Sequence, residues 1–110
     1  MNSEKSTVEN KGTILPKATQ DLKQILVYFD LPNDQEYLHA LETRFTQRFE
    51  ELLEYPKLYP ILELEEVTGV VLRKSVLDNY VIIYTYIEEL KEVTILRIFH
   101  SRSQVSHTLH

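Results

Sequence analysis

Residues 79–87 read Asn-Tyr-Val-Ile-Ile-Tyr-Thr-Tyr-Ile, and residues 93–99 read Val-Thr-Ile-Leu-Arg-Ile-Phe. β-Branched and aromatic residues dominate both runs, which is typical of β-strands. The residues between them, 88–92, are mainly acidic and too few for a crossover helix, so they predict a turn. We therefore expect the two runs to form an antiparallel hairpin, with the rest of the chain arranged around it.

The first run carries apolar residues at both odd and even positions. Because the side chains of a strand alternate between its two faces, this pattern predicts a central strand that is covered on both faces. Tyr80, Tyr84 and Tyr86 share one of these faces, and their hydroxyl groups favour that face as the more solvated one. An upstream run at residues 70–76 predicts another strand, joined to the hairpin by a short turn.

Two helices are predicted before these strands. Apolar residues at helical spacing mark residues 17–29, and Pro16 suits the first helical position, where its missing N–H costs nothing. A second apolar stripe marks residues 34–54, for which Asn33 is the expected cap and Glu36 its reciprocal partner. The short link between the stripes predicts an antiparallel helical hairpin.

These elements predict an α+β fold, in which the helical hairpin packs on a twisted antiparallel sheet of three or four strands. If there is a fourth strand, we expect it to be a short one at residues 13–15. Pro56 and Pro60 predict an irregular segment, because proline is excluded from central strands. The expected boundaries are a flexible N-terminal arm at 1–12, a single domain at 13–103 and a C-terminal tail at 104–110.

Composition restricts the class of protein. The chain has 110 residues, the length of one domain, and no cysteine, which excludes disulfides and thiolate metal sites. No apolar run reaches the roughly 18 residues that a membrane helix needs, and the polar N-terminus lacks the apolar core of a secretory signal. We therefore expect a cytoplasmic protein with no membrane partner.

Charge is unevenly distributed along the chain. The net charge is −5, and residues 13–66 hold eleven acids and five bases, whereas residues 67–110 hold four acids and five bases. A general nucleic-acid-binding domain is expected to be basic, so the whole-chain charge argues against broad affinity for phosphate. Any anion site must be local. We expect it after Arg97, because from this residue onward there are two arginines, three histidines and no acid.

Several pieces of the chain, taken in order, resemble the RelE/ParE superfamily of small toxins from type II toxin–antitoxin systems. They are the helix opening Pro16–Leu22, the segment Leu52–Pro56, Arg73 on a strand, Asn79–Tyr84 and Leu96–Arg102. The resemblance extends over residues 13–103. It implies a compact α+β domain, a cognate antitoxin encoded beside the toxin, and no metal, organic cofactor or small-molecule substrate.

The superfamily divides by target. RelE-like members cut mRNA in the ribosomal A site, ParE-like members inhibit DNA gyrase, and others keep the fold without a clear activity. Cleaving RNA through its own 2′-OH needs a base, a cation for the phosphate and an acid. Position by position, the resemblance assigns Arg73 and Arg102 as candidate phosphate ligands and His100 as the candidate for proton transfer.

The Leu96–Arg102 motif is closer to the ParE-like branch, and two departures argue against a nuclease and favour the ParE-like or inactive members. Many nuclease members carry a further acid–base residue near the C-terminus, where this chain offers His107 as a substitute. Nuclease members are also basic before the first arginine, whereas this chain reads Leu-Glu-Leu-Glu-Glu at 62–66, and acids repel RNA. We therefore expect a gyrase-inhibiting toxin. The alternatives are a metal-independent, ribosome-dependent mRNA endonuclease and an inactive binding module that keeps the fold.

Overall fold

A computed structural model describes residues 9–28, 32–64 and 68–102 of the chain. Within these residues two α-helices lie on one face of a five-stranded sheet, so the predicted α+β class is confirmed. The elements are β1 (Lys11–Ile14), α1 (Pro16–Tyr28), α2 (Gln35–Glu54), β2 (Ile61–Leu64), β3 (Val71–Leu77), β4 (Tyr80–Ile87) and β5 (Glu92–His100). The predicted tail, with His107, and most of the predicted arm lie outside the described residues.

The strand order is β1-β5-β4-β3-β2, and β4 pairs antiparallel with β3 and β5 as predicted. The described sheet has five strands instead of three or four, and it is not fully antiparallel, because β1 runs parallel to β5. The strand that the sequence analysis missed is β2, at the edge beside β3. It starts directly after Pro60, and proline is excluded from central strands but tolerated at an edge strand.

β1 begins at Lys11, so the last two residues of the predicted arm belong to the sheet. Gly12 permits β1 to lie this close to α2, because a Cβ at this position would lie only 3.0 Å from Leu53 Cδ2 on the helix. The side chain of Asn10 strengthens the same contact, since its Nδ2 donates a hydrogen bond to the Leu53 carbonyl (2.7 Å). The C-terminal end of α2 therefore holds β1 in place beside β5.

The core lies between the helices and the tyrosine face of β4, so the expectation that this face is the more solvated one is wrong. Tyr84 is fully buried and Tyr80 is 4% exposed, and both belong to one core cluster with apolar side chains of the two helices. Buried hydroxyl groups need acceptors. Tyr84 Oη donates to the Pro56 carbonyl (2.8 Å) and Tyr86 Oη donates to Asn10 Oδ1 (3.0 Å). The opposite face of β4 is also buried over most of its length, as predicted.

Both helices lie close to their predicted positions, and Pro16 is the first residue of α1 as expected. The predicted cap at Asn33 is wrong, because a 3-10 turn at Pro32–Asp34 leads directly into α2 and Asn33 lies inside that turn. Asp34 occupies the cap position and makes no side-chain cap hydrogen bond. The entry to α2 is therefore set by the turn and not by a capping side chain.

β1 pairs with only the first half of β5, and a carboxylate from α1 closes the edge beyond it. Asp21 Oδ2 accepts hydrogen bonds from the Ile98 N–H (2.9 Å) and from Arg97 Nε (2.7 Å). Partial burial of the carboxyl raises its pKa, but the hydrogen bonds from Arg97 and Ile98 outweigh burial, so the pKa of Asp21 is lowered from its ordinary value. The charged form of Asp21 therefore ties α1 to β5.

Replacing Asp21 by asparagine should weaken this tie. Asp21→Asn is expected to lower the free energy of unfolding at neutral pH by about 1–3 kcal/mol, because it removes the charge from a carboxylate that two donors bind. Chemical denaturation followed by circular dichroism measures the change. The matched control is Glu42→Gln, which neutralises an exposed carboxylate on α2 and should change stability by less than about 0.5 kcal/mol.

Acid should remove the difference between the wild type and Asp21→Asn. Because folding lowers the pKa of Asp21, its contribution is complete above the ordinary value of 3.8 and is lost as the pH falls through the folded-state pKa. Denaturation curves at decreasing pH should therefore converge. A difference that persists undiminished at about pH 2 would contradict this role for the carboxylate.

Candidate functional site

The structure separates the three candidate residues into two places. Arg73 lies in the middle of β3 opposite Tyr84 of β4, whereas His100 ends β5 opposite Tyr80. Because the two tyrosines lie on the same strand, Arg73 and His100 are roughly 13 Å apart along the strand direction, with β4 between them. Arg102 follows His100 closely in the chain. The structure thus brings His100 and Arg102 together and leaves Arg73 apart.

The guanidinium of Arg73 is directed at the 55–60 loop, the segment that connects α2 to β2. Arg73 Nη1 donates to the Tyr59 carbonyl (2.7 Å) and, at a longer distance, to the Lys57 carbonyl (3.4 Å). Arg73 is half-buried on the same face of the sheet as the helices. Its charge therefore stabilises the fold of this loop, on the far side of β4 from His100 and Arg102.

Two tyrosines fix the same loop. Tyr84 Oη donates to the Pro56 carbonyl, and burial raises the pKa of Tyr84 to about 12, so the phenol stays a neutral donor at physiological pH. Tyr59 Oη donates to the carboxylate of Glu51 on α2. Burial, followed by this hydrogen bond, raises the pKa of Tyr59. The 55–60 loop is therefore bound to β3, β4 and α2 at once.

Arg48 on α2 completes this polar cluster. Its guanidinium carbon lies 5.1 Å from the centre of the Tyr59 ring, and its Nε lies 3.1 Å from Glu51 Oε1. Arg48 Nη1 also donates to Oγ of the fully buried Ser75 (2.7 Å). A carboxylate, an aromatic ring and a hydroxyl therefore surround this arginine, as expected for a partly buried cation with a structural role.

His100 is oriented by the backbone that follows it. The Arg102 N–H donates to His100 Nδ1 (3.0 Å), and the imidazole packs edge-on against the Tyr80 ring at 5.3 Å between centroids. A neutral imidazole that accepts at Nδ1 carries its proton on Nε2. In this arrangement His100 has no free lone pair with which to take a proton from a substrate hydroxyl.

Arg102 is the candidate that remains available. Arg102 is exposed, and its guanidinium makes no hydrogen bond or ion pair with any residue that the structure describes. It lies just past the end of β5, beside the imidazole of His100. An exposed guanidinium at this position can bind an anionic group.

A cavity of about 580 Å³ lies beside His100, between α1, the start of α2 and the end of β5. Five aromatic residues contribute to its walls, namely Tyr28, Tyr37, Tyr80, Phe99 and His100. Burial raises the pKa of Tyr80, and the nearby Tyr37, Asp78 and Tyr28 act in the same direction. Sequence reasoning missed Tyr28 and Tyr37, because neither belongs to the apolar stripe of its helix. The cavity offers contact surface, and the two charged side chains that line it, Asp21 and Arg97, bind each other.

Metal and membrane sites are not found in the described part of the chain. Among residues 9–28, 32–64 and 68–102, no group of three or more His, Asp or Glu side chains lies close enough together to hold a metal ion. None of the described helices is sufficiently long and apolar to span a bilayer.

Comparison with known proteins identifies relatives of the chain. A family model described as the ParE toxin of the type II toxin–antitoxin system parDE matches residues 13–105. The toxin–antitoxin complex RelBE2 from Mycobacterium tuberculosis has a similar structure, with a TM-score of 0.56 and 23% sequence identity over 87% of this chain and 95% of that chain. The archaeal RelE–RelB complex from Pyrococcus horikoshii OT3 matches with a TM-score of 0.59 and 19% identity, over 87% and 100% of the two chains. No curated protein sequence matches significantly. At these identities the two structures show a shared fold.

Removing the Arg73 guanidinium should loosen the 55–60 loop. Arg73→Ala is expected to cost about 1.5–3 kcal/mol of stability and to speed amide hydrogen exchange in the loop, because hydrogen bonds from a charged donor are lost. Lys74→Ala, which removes the exposed neighbouring cation on β3, is the control. Equal exchange in the two variants would contradict an anchoring role for Arg73.

The tautomer of His100 should be visible in solution. Long-range ¹H–¹⁵N correlation spectra at high pH are expected to show the proton of His100 on Nε2, since Nδ1 accepts the Arg102 N–H. His39, an exposed residue on α2, provides an internal reference. A spectrum in which the proton of His100 lies on Nδ1 would show that the hydrogen bond is absent and that the ring is free for catalysis.

Proposed function

Since the chain belongs to the ParE toxin family of type II toxin–antitoxin systems, we propose that it stops growth by binding DNA gyrase and not by cutting mRNA. One observation supports this proposal above the others: the nuclease candidates Arg73 and His100 are engaged within the fold. Arg73 binds the 55–60 loop, and His100 uses Nδ1 to accept a backbone N–H. A nuclease needs a free base and acid beside its substrate, whereas a binding toxin needs only a complementary surface.

The electrostatic character of the chain supports the same proposal. The net charge is −5, and the acidic stretch at 62–66 contains no base. Binding to ribosomal RNA or mRNA depends strongly on the neutralisation of phosphates by Lys and Arg. A protein target imposes no such requirement, because a protein interface is formed chiefly by shape and apolar contact.

The alternative is a ribosome-dependent endonuclease that uses Arg73, His100 and Arg102. It requires the Arg102 N–H to release His100 Nδ1 when RNA binds, and it requires Arg73 to leave the Tyr59 carbonyl. Each step breaks a hydrogen bond that stabilises the free protein. The gyrase proposal requires neither change.

A cognate antitoxin is the second partner that we assign to this chain. The proteins of similar structure from M. tuberculosis and P. horikoshii are toxins in complex with their antitoxins. The exposed guanidinium of Arg102 is a cation that an acidic group of either partner can bind. We therefore propose that Arg102 belongs to the binding surface, with its backbone N–H hydrogen-bonded to His100 Nδ1.

Purified toxin should inhibit DNA supercoiling by gyrase while leaving mRNA intact in a translating extract. Arg102→Ala is expected to weaken the inhibition about tenfold, because it removes a charged contact, whereas Lys74→Ala should leave inhibition unchanged. Gel assays of plasmid supercoiling and primer extension on a translated mRNA measure the two activities.

Each result of this pair of assays has a distinct meaning. Ribosome-dependent cleavage that disappears in Arg73→Ala and Arg102→Ala would establish the endonuclease instead. If neither supercoiling nor mRNA is affected by the folded protein, the chain is an inactive binding module. Addition of the neighbouring gene product should restore supercoiling if that product is the antitoxin.

A further inference from the structure

Two hydrogen bonds hold the turn that follows β5. The Ser101 N–H donates to the Asn79 carbonyl (2.7 Å), and the Arg102 N–H donates to His100 Nδ1 (3.0 Å). A backbone carbonyl keeps its lone pairs whatever the pH, whereas an imidazole nitrogen loses its lone pair when the ring takes up a second proton. The hydrogen bond of Arg102 therefore depends on the charge of His100, and the hydrogen bond of Ser101 does not.

The imidazole of His100 is oriented by its neighbours and still accessible to protons from solvent. It packs edge-on against Tyr80, with 5.3 Å between the ring centroids, and the residue is only partly buried, in the wall of the 580 Å³ cavity. Both nitrogens of an imidazolium are donors, so a flip of the protonated ring does not restore an acceptor for the Arg102 N–H.

The other titratable and charged groups around this ring belong to types that keep their charge when histidine titrates. They are Asp21 and Tyr28 on α1, Tyr37 on α2, Asp78 and Tyr80 in and after the β3–β4 turn, and Arg97 on β5. Carboxyl, phenol and guanidinium groups ordinarily titrate outside the range of about pH 5 to 8, in which histidine changes charge.

The structure keeps these neighbours in their ordinary charge states. The pKa of Asp21 is lowered and its carboxylate binds Arg97, while burial raises the pKa of Tyr80. Asp78 lies 2.6 Å from a guanidinium nitrogen of Arg44. Among the residues described around this turn, His100 is therefore the group whose charge changes near neutral pH.

Protonation of His100 places two donors against each other. The Nδ1–H of the imidazolium then faces the Arg102 N–H, and the hydrogen bond between them is lost. Arg102 is exposed, so its N–H can bind water instead. The Ser101 N–H remains bound to the Asn79 carbonyl, which confines the opening to the chain after Ser101 and leaves the pairing of β5 with β4 intact.

We propose that protonation of His100 opens this turn and weakens the binding of a partner at Arg102, so that the toxin binds more tightly at neutral than at mildly acid pH. The inference rests on the proposed function, because it takes Arg102 as part of the binding surface. A fixed turn presents the guanidinium without a cost of ordering on binding. His100 acts here as a positioning residue, through the backbone of Arg102.

The charge that His100 gains has a smaller effect in the opposite direction. An imidazolium beside Arg102 attracts an acidic group of a partner. An exposed ion pair nevertheless contributes little, and typically less than a hydrogen bond that fixes the backbone. The loss of the hydrogen bond therefore determines the sign of the pH dependence.

NMR of the free, ¹⁵N-labelled full chain tests the opening of the turn directly. A scalar coupling across the hydrogen bond, between the Arg102 amide nitrogen and His100 Nδ1, is expected at about pH 8 and should be lost by about pH 5.5. The Ser101 amide should keep its chemical shift. His39→Asn, which replaces an exposed histidine on α2, should leave the transition at Arg102 unchanged.

Binding to immobilised gyrase, measured by surface plasmon resonance over the same range of pH, tests the consequence. The wild-type affinity should fall about threefold to tenfold between neutral and mildly acid pH. His39→Asn should follow the wild type. Comparing each variant with the wild type at the same pH removes the effect of pH on gyrase itself.

Two substitutions of His100 separate the acceptor from the proton. His100→Asn places an amide oxygen near the position of Nδ1 and does not titrate, so it should bind as the neutral wild type does and lose little affinity in acid. His100→Gln places its amide near the position of Nε2 and supplies no acceptor at Nδ1. It should bind weakly at every pH. Circular dichroism checks that each variant is folded across the range.

Either of two results would overturn the proposal. The first is a coupling to Arg102 that persists after the ring shifts of His100 show that it is protonated. The second is an affinity of His100→Asn that falls in acid in parallel with that of the wild type. A folded toxin that binds gyrase at no pH contradicts the proposed function instead, and the coupling in the free protein still decides whether His100 controls the turn.

Discussion

The buried tyrosine face of β4 is the constraint on which the other elements depend. A phenol that is shielded from water must donate to an acceptor within the protein, or the fold loses about 1–3 kcal/mol. Tyr84 donates to the Pro56 carbonyl, and Tyr86 donates to Asn10. The first hydrogen bond fixes the loop that leads into β2, and the second fixes the residue that precedes β1. Side chains of the central strand thereby position both edge strands of the sheet.

This arrangement explains why the family resemblance predicts the fold better than it predicts chemistry. Arg73, Tyr84 and Pro56 come from three separate pieces of the resemblance, and they meet at the 55–60 loop. Their shared role is to attach this loop to the sheet. A relative can keep these residues and act on a different target, because side chains that are hydrogen-bonded within the fold are not available to a target. The resemblance therefore rests in part on residues that stabilise the fold.

Periodicity was sufficient to predict both helices and the three central strands, because each of these elements buries a regular apolar pattern. β2 was missed because all four of its residues are exposed, so burial imposes no pattern on it, and Pro60 argued against a central strand. The solvated tyrosine face was predicted from the polarity of the hydroxyl groups, but their acceptors, the Pro56 carbonyl and Asn10, are distant in sequence. Contacts of this kind cannot be derived from local sequence pattern.

The candidate site shows the same limit. Residue types and the family resemblance predicted Arg73, His100 and Arg102 as groups that can bind phosphate or move protons. Whether these groups are available depends on backbone geometry. The guanidinium of Arg73 donates to a backbone carbonyl, and His100 Nδ1 accepts a backbone N–H. Strand register also separates these residues. Arg73 on β3 and His100 on β5 lie opposite different residues of β4 and are therefore apart along the strand direction. Residue identity alone therefore predicts the chemistry of a group and not its freedom to react.

The two edges of the sheet differ in how far the described residues cover them. β1 is held by the end of α2, where Gly12 allows contact with Leu53, and Asp21 closes the adjoining part of β5. β2 has no such cover among the described residues, and an open apolar edge is prone to aggregation. The acids at 62–66 counter this tendency between identical copies, because like charges repel. The acidic composition of this segment therefore limits self-association at an edge that no further described strand covers.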